Sequence, residues 1–231
     1  MNKAYKFRIY PDKEQEILFA KTFGCVRLVY NYYLDKRIQQ YQMDQSTLNY
    51  TWCANDMAKL KKTEEYSLLK EVDSIALQQS VRHLDAAFQN FFKRSKSGFP
   101  KFKSKKNSRK SYSTNCINGN IAIKNGCIKL PKVGLVKINQ HRSIPSDYKL
   151  KSVTISQSPS GKYYASVLFE YDKQVQEQTP QSFIGLDYSM HELYKDSNGN
   201  EPKYPGYYRQ AEKKLKREQR KLSHMVKGSN N

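Results

Sequence analysis

Asp187 stands in the run Phe183-Ile184-Gly185-Leu186-Asp187-Tyr188-Ser189-Met190, an apolar stretch that passes a glycine and then places one carboxylate in its middle. A Gly-x-Asp of this kind closes many strands and by itself names no reaction. A denser signal lies between Arg94 and Lys110. Arg94, Lys96, Lys101, Lys103, Lys105, Lys106, Arg109 and Lys110 occur there with no acid among them, punctuated by Phe99 and Phe102. Cations so crowded repel one another unless a polyanion is present. Aromatic rings interleaved with lysine can stack bases while the ammonium groups hold phosphates. A solvated linker is the plain alternative for a lysine–serine run, and the aromatics in Gly98-Phe99-Pro100-Lys101-Phe102-Lys103 weigh against it. Phe99 and Phe102 are expected to dock this segment onto a barrel rather than to stack bases. For base reading, Gln78, Gln79 and Asn118 are candidates, because Gln and Asn bond adenine bidentately in the major groove. The same residues can equally solvate a surface or cap a turn. Tyr50 is a stacking candidate, and Arg27 a phosphate-binding cation outside an apolar helical stripe.

Other chemistry is thinly represented. His83 and His224 have no carboxylate or cysteine at ligand spacing and read as structural, and no Ser/His/Asp grouping is visible. Cys25, Cys53, Cys116 and Cys127 are scattered without a Cys-x-x-Cys pair, which suggests small buried hydrophobes rather than a disulfide framework or a zinc site.

Across 231 residues, Lys and Arg outnumber Asp and Glu by 41 to 21, a formal charge of +20. That balance recruits polyanions, phosphate backbones first. An acidic membrane surface is the competing partner, but no apolar run reaches spanning length. The N-terminus lacks the apolar core of a signal peptide, so a cytoplasmic, nucleoid-associated protein is expected.

The elements that must position these residues follow from periodicity. Tyr5, Phe7 and Ile9 alternate with Lys6, Arg8 and Tyr10, as in a half-buried strand. Asp12 with Gln15 marks a helix start through Ile17, Leu18 and Ala20. Val26, Val29, Tyr30, Tyr33, Leu34, Ile38 and Tyr41 form a second helical stripe, with Arg27, Lys36 and Arg37 outside it. Gly24 separates the two, which gives a helix-turn-helix pair. A shorter helix carries Trp52 or Cys53, Met57 and Leu60. Asp73 or Ser74 caps another through Leu77, Val81, Leu84, Phe88 and Phe91. Beyond Tyr112 the period becomes that of strands. Asn125-Gly126 turns a hairpin that sets Ile123 opposite Ile128. Val133–Ile138 is one strand, and Lys149–Gln157 with Lys162–Glu170 form a second hairpin. The expected fold is α+β: a small antiparallel β-barrel, closed by the N-terminal strand, with a helical bundle inserted. After a polar linker at Tyr171–Gln181 come the Asp187 strand, a weak strand at Glu192–Lys195, a turn at Asn198-Gly199 and a basic helix from Tyr207 to about Met225.

Together these features resemble the OrfB/TnpB proteins of transposable elements, relatives of type V CRISPR effector nucleases. The blocks that carry the resemblance are Tyr5 to Pro11, Phe23-Gly24-Cys25-Val26-Arg27-Leu28-Val29-Tyr30-Asn31, Val72 to Leu84, Gly98-Phe99-Pro100-Lys101-Phe102-Lys103, Ile128-Lys129-Leu130-Pro131-Lys132 and Gly185-Leu186-Asp187. The resemblance implies an RNA-guided DNA endonuclease, with guide RNA and DNA as partners and other products of the same mobile element as further ones. It divides the chain into a split β-barrel wedge domain (1–11 and 112–175, OB-like), a helical recognition domain (12–93), a basic connector (94–111) and the first part of an RNase H-like RuvC domain (182–231). Specificity would be delegated to base pairing. In such RuvC domains three carboxylates hold two Mg²⁺ ions, and Asp187 matches the first. The later Glu, the zinc ribbon that binds Zn²⁺ and the last Asp have no counterpart before Asn231. Glu192 and Asp196 lie too near Asp187 in sequence to replace them. The expectation is therefore a C-terminally shortened member that binds guide RNA and DNA but lacks most of the nuclease site. The alternative is a non-catalytic DNA- or RNA-binding remnant or repressor.

Overall fold

The first strand, β1 (Asn2–Tyr10), buries Tyr5, Phe7 and Ile9 and turns Lys6, Arg8 and Tyr10 away from the core. The computed structural model describes the chain except residues 95–96, 107–108, 173–181, 189–191, 204, 227 and 229–231. Contacts divide it into two units, Met1–Gln174 and Val175–Asn231.

In the first unit, Asp12 caps α1 (Lys13–Asp44) with a full capping box, its carboxylate accepting from Gln15 N while the Gln15 side chain accepts from Asp12 N. This helix is continuous for 32 residues. Gly24 lies inside it and does not divide it in two, contrary to the expected helical pair. A helical glycine costs roughly 1 kcal/mol relative to alanine. Phe19, Phe23, Val26, Val29, Tyr30, Tyr33 and Leu34 are all buried along the same helix, and each large side chain contributes about 1.5–3 kcal/mol. Packing outweighs the local penalty. The early turns seat through Phe19, whose ring meets Tyr112 and Tyr163, whereas Ile17 and Tyr41 are exposed. Arg37, expected outside the stripe, is buried: its guanidinium bonds Asp85 at 2.8 Å and lies over Phe88.

Asn49 caps α2 (Tyr50–Leu60), which buries Cys53 rather than Trp52, together with Met57 and Leu60. A short 3-10 turn at Ser67–Lys70 precedes α3 (Ser74–Lys93), capped by Asp73 and buried through Leu77, Val81 and Leu84. Cys25 and Cys53 are buried thiols, both pushed up chiefly by desolvation, Cys25 to about 11. They behave as core residues, not nucleophiles.

The remaining strands are β2 (Ser111–Asn115), β3 (Ala122–Lys124), β4 (Cys127–Leu130), β5 (Gly134–Asn139), β6 (Lys149–Gln157) and β7 (Tyr163–Glu170). They form a curled antiparallel half-barrel in the order β2-β6-β7-β1-β5-β4-β3. The N-terminal strand thus lies at the centre, pairing β7 on one side and β5 on the other, rather than at a seam. The Asn125-Gly126 turn has positive φ at both residues, and Ile123 pairs with Ile128 as the alternation requires. Tyr163, Ala165, Val167 and Phe169 line the inner face. The helices lie in sequence between β1 and β2 and join the sheet at β2, where Thr114 donates to Asp73 and Phe19 and Phe23 meet Tyr112.

The second unit is slight. Strands β8 (Leu186–Asp187) and β9 (Lys195–Asp196) pair antiparallel, a turn at Asn198-Gly199 follows β9, and α4 (Tyr207–Ser223) comes after it. The second strand begins at Lys195, later than expected, and Glu192 instead bridges Lys203. No described side chain of this unit is buried. Among the described residues no helix is long and apolar enough to cross a membrane.

Candidate nucleic-acid interface

Alternation along β1 decides where its cations go: burying Phe7 and Ile9 forces Lys6 and Arg8 onto the outer face. There Lys6 Nζ lies 4.7 Å from the Tyr164 ring centre, and the Arg8 guanidinium sits 5.4 Å from both Tyr10 and Tyr164. Tyr164 occupies β7 opposite Arg8 in register. Lys6 and Tyr164 form one wall of a groove of about 470 Å³. Lys105, Lys106, Arg109 and Lys110 line it from the basic connector, and the turn at Ser158–Gly161 completes it. Among the described residues five cations and no carboxylate face this groove. The connector is fixed to the sheet, since Lys110 O accepts from Gln157 N at 2.9 Å and Lys110 Nζ donates to Gln157 Oε1 at 3.0 Å. Such a groove can hold successive phosphates while the tyrosines offer faces for bases.

The connector also reaches the helices. Asn31 clamps the backbone of Lys103 reciprocally, Nδ2 donating to Lys103 O at 2.9 Å and Oδ1 accepting from Lys103 N at 2.8 Å. This places the Lys103 ammonium 3.8 Å over the Tyr30 ring, where desolvation lowers its pKa. A smaller cleft of about 280 Å³ opens here, lined by Arg27, His83, Lys103, Arg109 and Lys110 among others. Groove and cleft share Arg109 and Lys110.

The structure brings most of the basic candidates together and leaves others apart. Lys103, Lys105, Lys106, Arg109, Lys110 and Arg27 line these two cavities, while Lys101 is exposed on the connector. Phe99 docks onto α3, its ring edge-on to Phe88 and Phe91, and not onto the barrel; Phe102 stays 55% exposed. Gln78 is exposed on α3 and Gln79 half-buried. Tyr50 carries the Arg82 guanidinium on its ring at 4.4 Å. Asn118 occupies a left-handed turn position, φ 50°, which accounts for an asparagine there. Sequence reasoning passed over Lys6, Arg8, Tyr164 and Asn31. The signal was present for β1: an outer face reading cation, cation, aromatic.

Asp187 is exposed on β8, with Lys195 as its strand partner. The nearby acids are committed elsewhere. Asp196 accepts from Asn198 N, Asn200 N and Asn200 Nδ2, holding the turn, and Glu201 pairs with Lys195 at 2.6 Å. Among the described residues no three His, Cys, Asp or Glu side chains gather as a metal site. A two-Mg²⁺ centre needs several converging oxygen ligands, and the described acids Asp196 and Glu201 are engaged by Asn200 and Lys195.

Residues 1–46 match a family model described as a helix-turn-helix domain, and residues 166–231 match one described as "Probable transposase" of the OrfB type. A Streptomyces pristinaespiralis protein named "Putative RNA-guided DNA endonuclease" is 35% identical over 233 residues, spanning 100% of this chain and 57% of its own length. "Putative RNA-guided DNA endonuclease InsQ" of Escherichia coli K12 is 31% identical over 230 residues, 99% of this chain and 56% of that protein. The chain belongs to the OrfB/TnpB family. Virulence protein VsdF of Salmonella dublin is 40% identical over 113 residues, 46% of the OrfB chain and 95% of VsdF. The OrfB chain thus spans little more than half the length of the two endonuclease-named relatives. A cryo-EM structure of a CRISPR-Cas12f ternary complex overlaps 95% of it and 55% of the Cas12f chain, with TM-score 0.47 and 11% identity. The segment matched by the helix-turn-helix model is β1 and the single unbroken α1.

Proposed function

We propose that residues 1–174 are a nucleic-acid-binding module that grips a phosphate backbone in the groove between the β1–β7 outer face and the basic connector. The observation that carries this is the groove lined by Lys6, Lys105, Lys106, Arg109 and Lys110 beside Tyr164, with no carboxylate facing it among the described residues. The relatives' names make guide RNA and target DNA the natural occupants. Replacing Lys6, Lys105, Lys106 and Lys110 with Gln together should flatten the plot of log K against log salt by about three units for a single strand, roughly 0.7 per lost phosphate contact. An unchanged slope would reduce the connector to a linker.

For Asp187 the proposal is ancestral: it stands for the first of the family's three RuvC carboxylates, while this chain binds rather than cuts. The commitment of Asp196 and Glu201 to other partners supports the binding reading. Guide-matched DNA incubated with the chain in Mg²⁺ should remain intact, and Asp187→Ala should leave affinity unchanged. Cleavage that disappears with Asp187→Ala would overturn it.

A further inference from the structure

We propose that the cleft between α1, α3 and β2 is a seat for a single phosphate group of the bound nucleic acid. This rests on the binding function above but concerns a different cavity from the groove. Arg27 comes from α1, His83 from α3, Lys103 and Arg109 from the connector, and Lys110 from the residue before β2; Phe23, Val26 and Ala76 supply the apolar wall. Among the described residues no carboxylate lines it.

Lys103 stands among these groups. Its ammonium is partly desolvated, and a buried charge calls for a counter-ion. The same bundle supplies one elsewhere, pairing Arg37 with Asp85 at 2.8 Å. Lys103 has no carboxylate within ion-pair distance among the described residues. Among the described residues it has the face of Tyr30 at 3.8 Å, a weak cation–π contact. Yet the chain holds it there, because both Asn31 bonds go to the Lys103 backbone and fix the residue whatever its side chain does. Two guanidinium groups, Arg27 and Arg109, face the same space. Their planar forks match the paired oxygens of phosphate. His83 is kept below its usual range by burial first and then by the Lys103 ammonium, so an arriving anion would reverse the second cause and ease protonation of the ring. The missing partner is an anion from outside the chain, and a phosphate has the charge and the acceptor geometry.

The test follows the His83 ring by NMR across pH in the full chain. Three additions are compared: chloride, inorganic phosphate and a short single-stranded oligonucleotide. A filled seat raises the His83 midpoint. If the oligonucleotide raises it and inorganic phosphate does not, the seat takes backbone phosphate; if both do, it takes free phosphate as well. Lys103→Gln should abolish the midpoint response and weaken the oligonucleotide about tenfold. Asn31→Ala, which leaves the ammonium present but unclamped, should weaken it several-fold. Lys129→Gln, exposed on β4, should cost only its share of the salt slope. Because Lys103→Gln removes an unpaired desolvated charge, the variant should melt no lower than the wild type without anion, so lost binding cannot be assigned to unfolding. An unmoved His83 in the presence of bound oligonucleotide would overturn the seat and leave the groove intact. A response to inorganic phosphate in a chain that binds no oligonucleotide would support the seat while removing the function proposed above.

Discussion

At the scale of single residues, the helical unit treats its buried charges in two ways, and each carries a stability consequence. Arg37 and Asp85 form a pair of which only Asp85 keeps some access to water. Removing the carboxylate strands the guanidinium in the core, which costs about 3–5 kcal/mol when both partners are fully buried. With Asp85 partly solvated, Asp85→Ala should lower stability by about 2–3 kcal/mol in urea unfolding. Arg37→Met, which removes the charge itself and keeps the stem packed on Phe88, should cost clearly less; equal losses would show that the pair matters through packing alone. His83 behaves differently. Its folded pKa lies below the ordinary 6.5, so between the two values the unfolded chain binds more protons. Stability therefore rises with pH there: the His83 contribution is complete above 6.5 and is lost as pH falls through that value toward the folded pKa. Urea midpoints measured from pH 7.5 down to 5.5 should fall, and His83→Gln should shallow the decline. A decline of the same steepness in the variant would assign it to other groups.

At the scale of elements, α1 shows what the sequence conveyed and where it misled. Its apolar stripe, its Asp12 cap and the hairpin turn at Asn125-Gly126 were all legible, because each is written in neighbouring residues. Gly24 misled because propensity is local and packing is not. A glycine ends a helix only when nothing beyond it holds the next turn in place, and Val26, Val29 and Tyr30 do so here. Arg37 misled for the same reason, since its partner Asp85 lies on another helix. The groove was half legible. Its connector lysines stand out in sequence, whereas Lys6 and Tyr164 join them only through strand pairing between residues far apart in the chain. Asn31 was invisible, as its role is to hold a backbone 72 positions away. The helix also yields a prediction. A Cβ at Gly24 meets nothing within 4 Å, and its backbone is helical. Gly24→Ala should therefore stabilise the chain by about 0.5–1 kcal/mol in urea unfolding. Destabilisation instead would mean that α1 bends there to seat Phe19 and Phe23.

At the scale of the whole molecule, the two units differ in what holds them. Met1–Gln174 contains every buried side chain described, from Tyr5 on β1 to Phe169 on β7. In Val175–Asn231, Phe183 is 87% and Tyr188 82% exposed, and Leu186, Leu215 and Leu222 are also open to solvent. Two paired strands of two residues each cannot sustain a hairpin in water. Helix α4 carries Arg209, Lys213, Lys214, Lys216, Arg217, Arg220 and Lys221 against Glu212 and Glu218. Its ion pairs Glu212–Lys216 and Glu218–Lys221 are solvent-exposed and worth a few tenths of a kcal/mol each. A helix of 17 residues with no buried face is marginal by itself. Native-state hydrogen exchange on the full chain should then separate the units. Amides of α1, α3, β6 and β7 should exchange only through global opening, while those of α4 should be protected no more than about tenfold over an unstructured peptide, since opening it costs close to nothing. Protection of α4 equal to that of α1 would show that its apolar stripe, Leu215 and Leu222, is buried in solution, and that the second unit contributes to the stability of the whole.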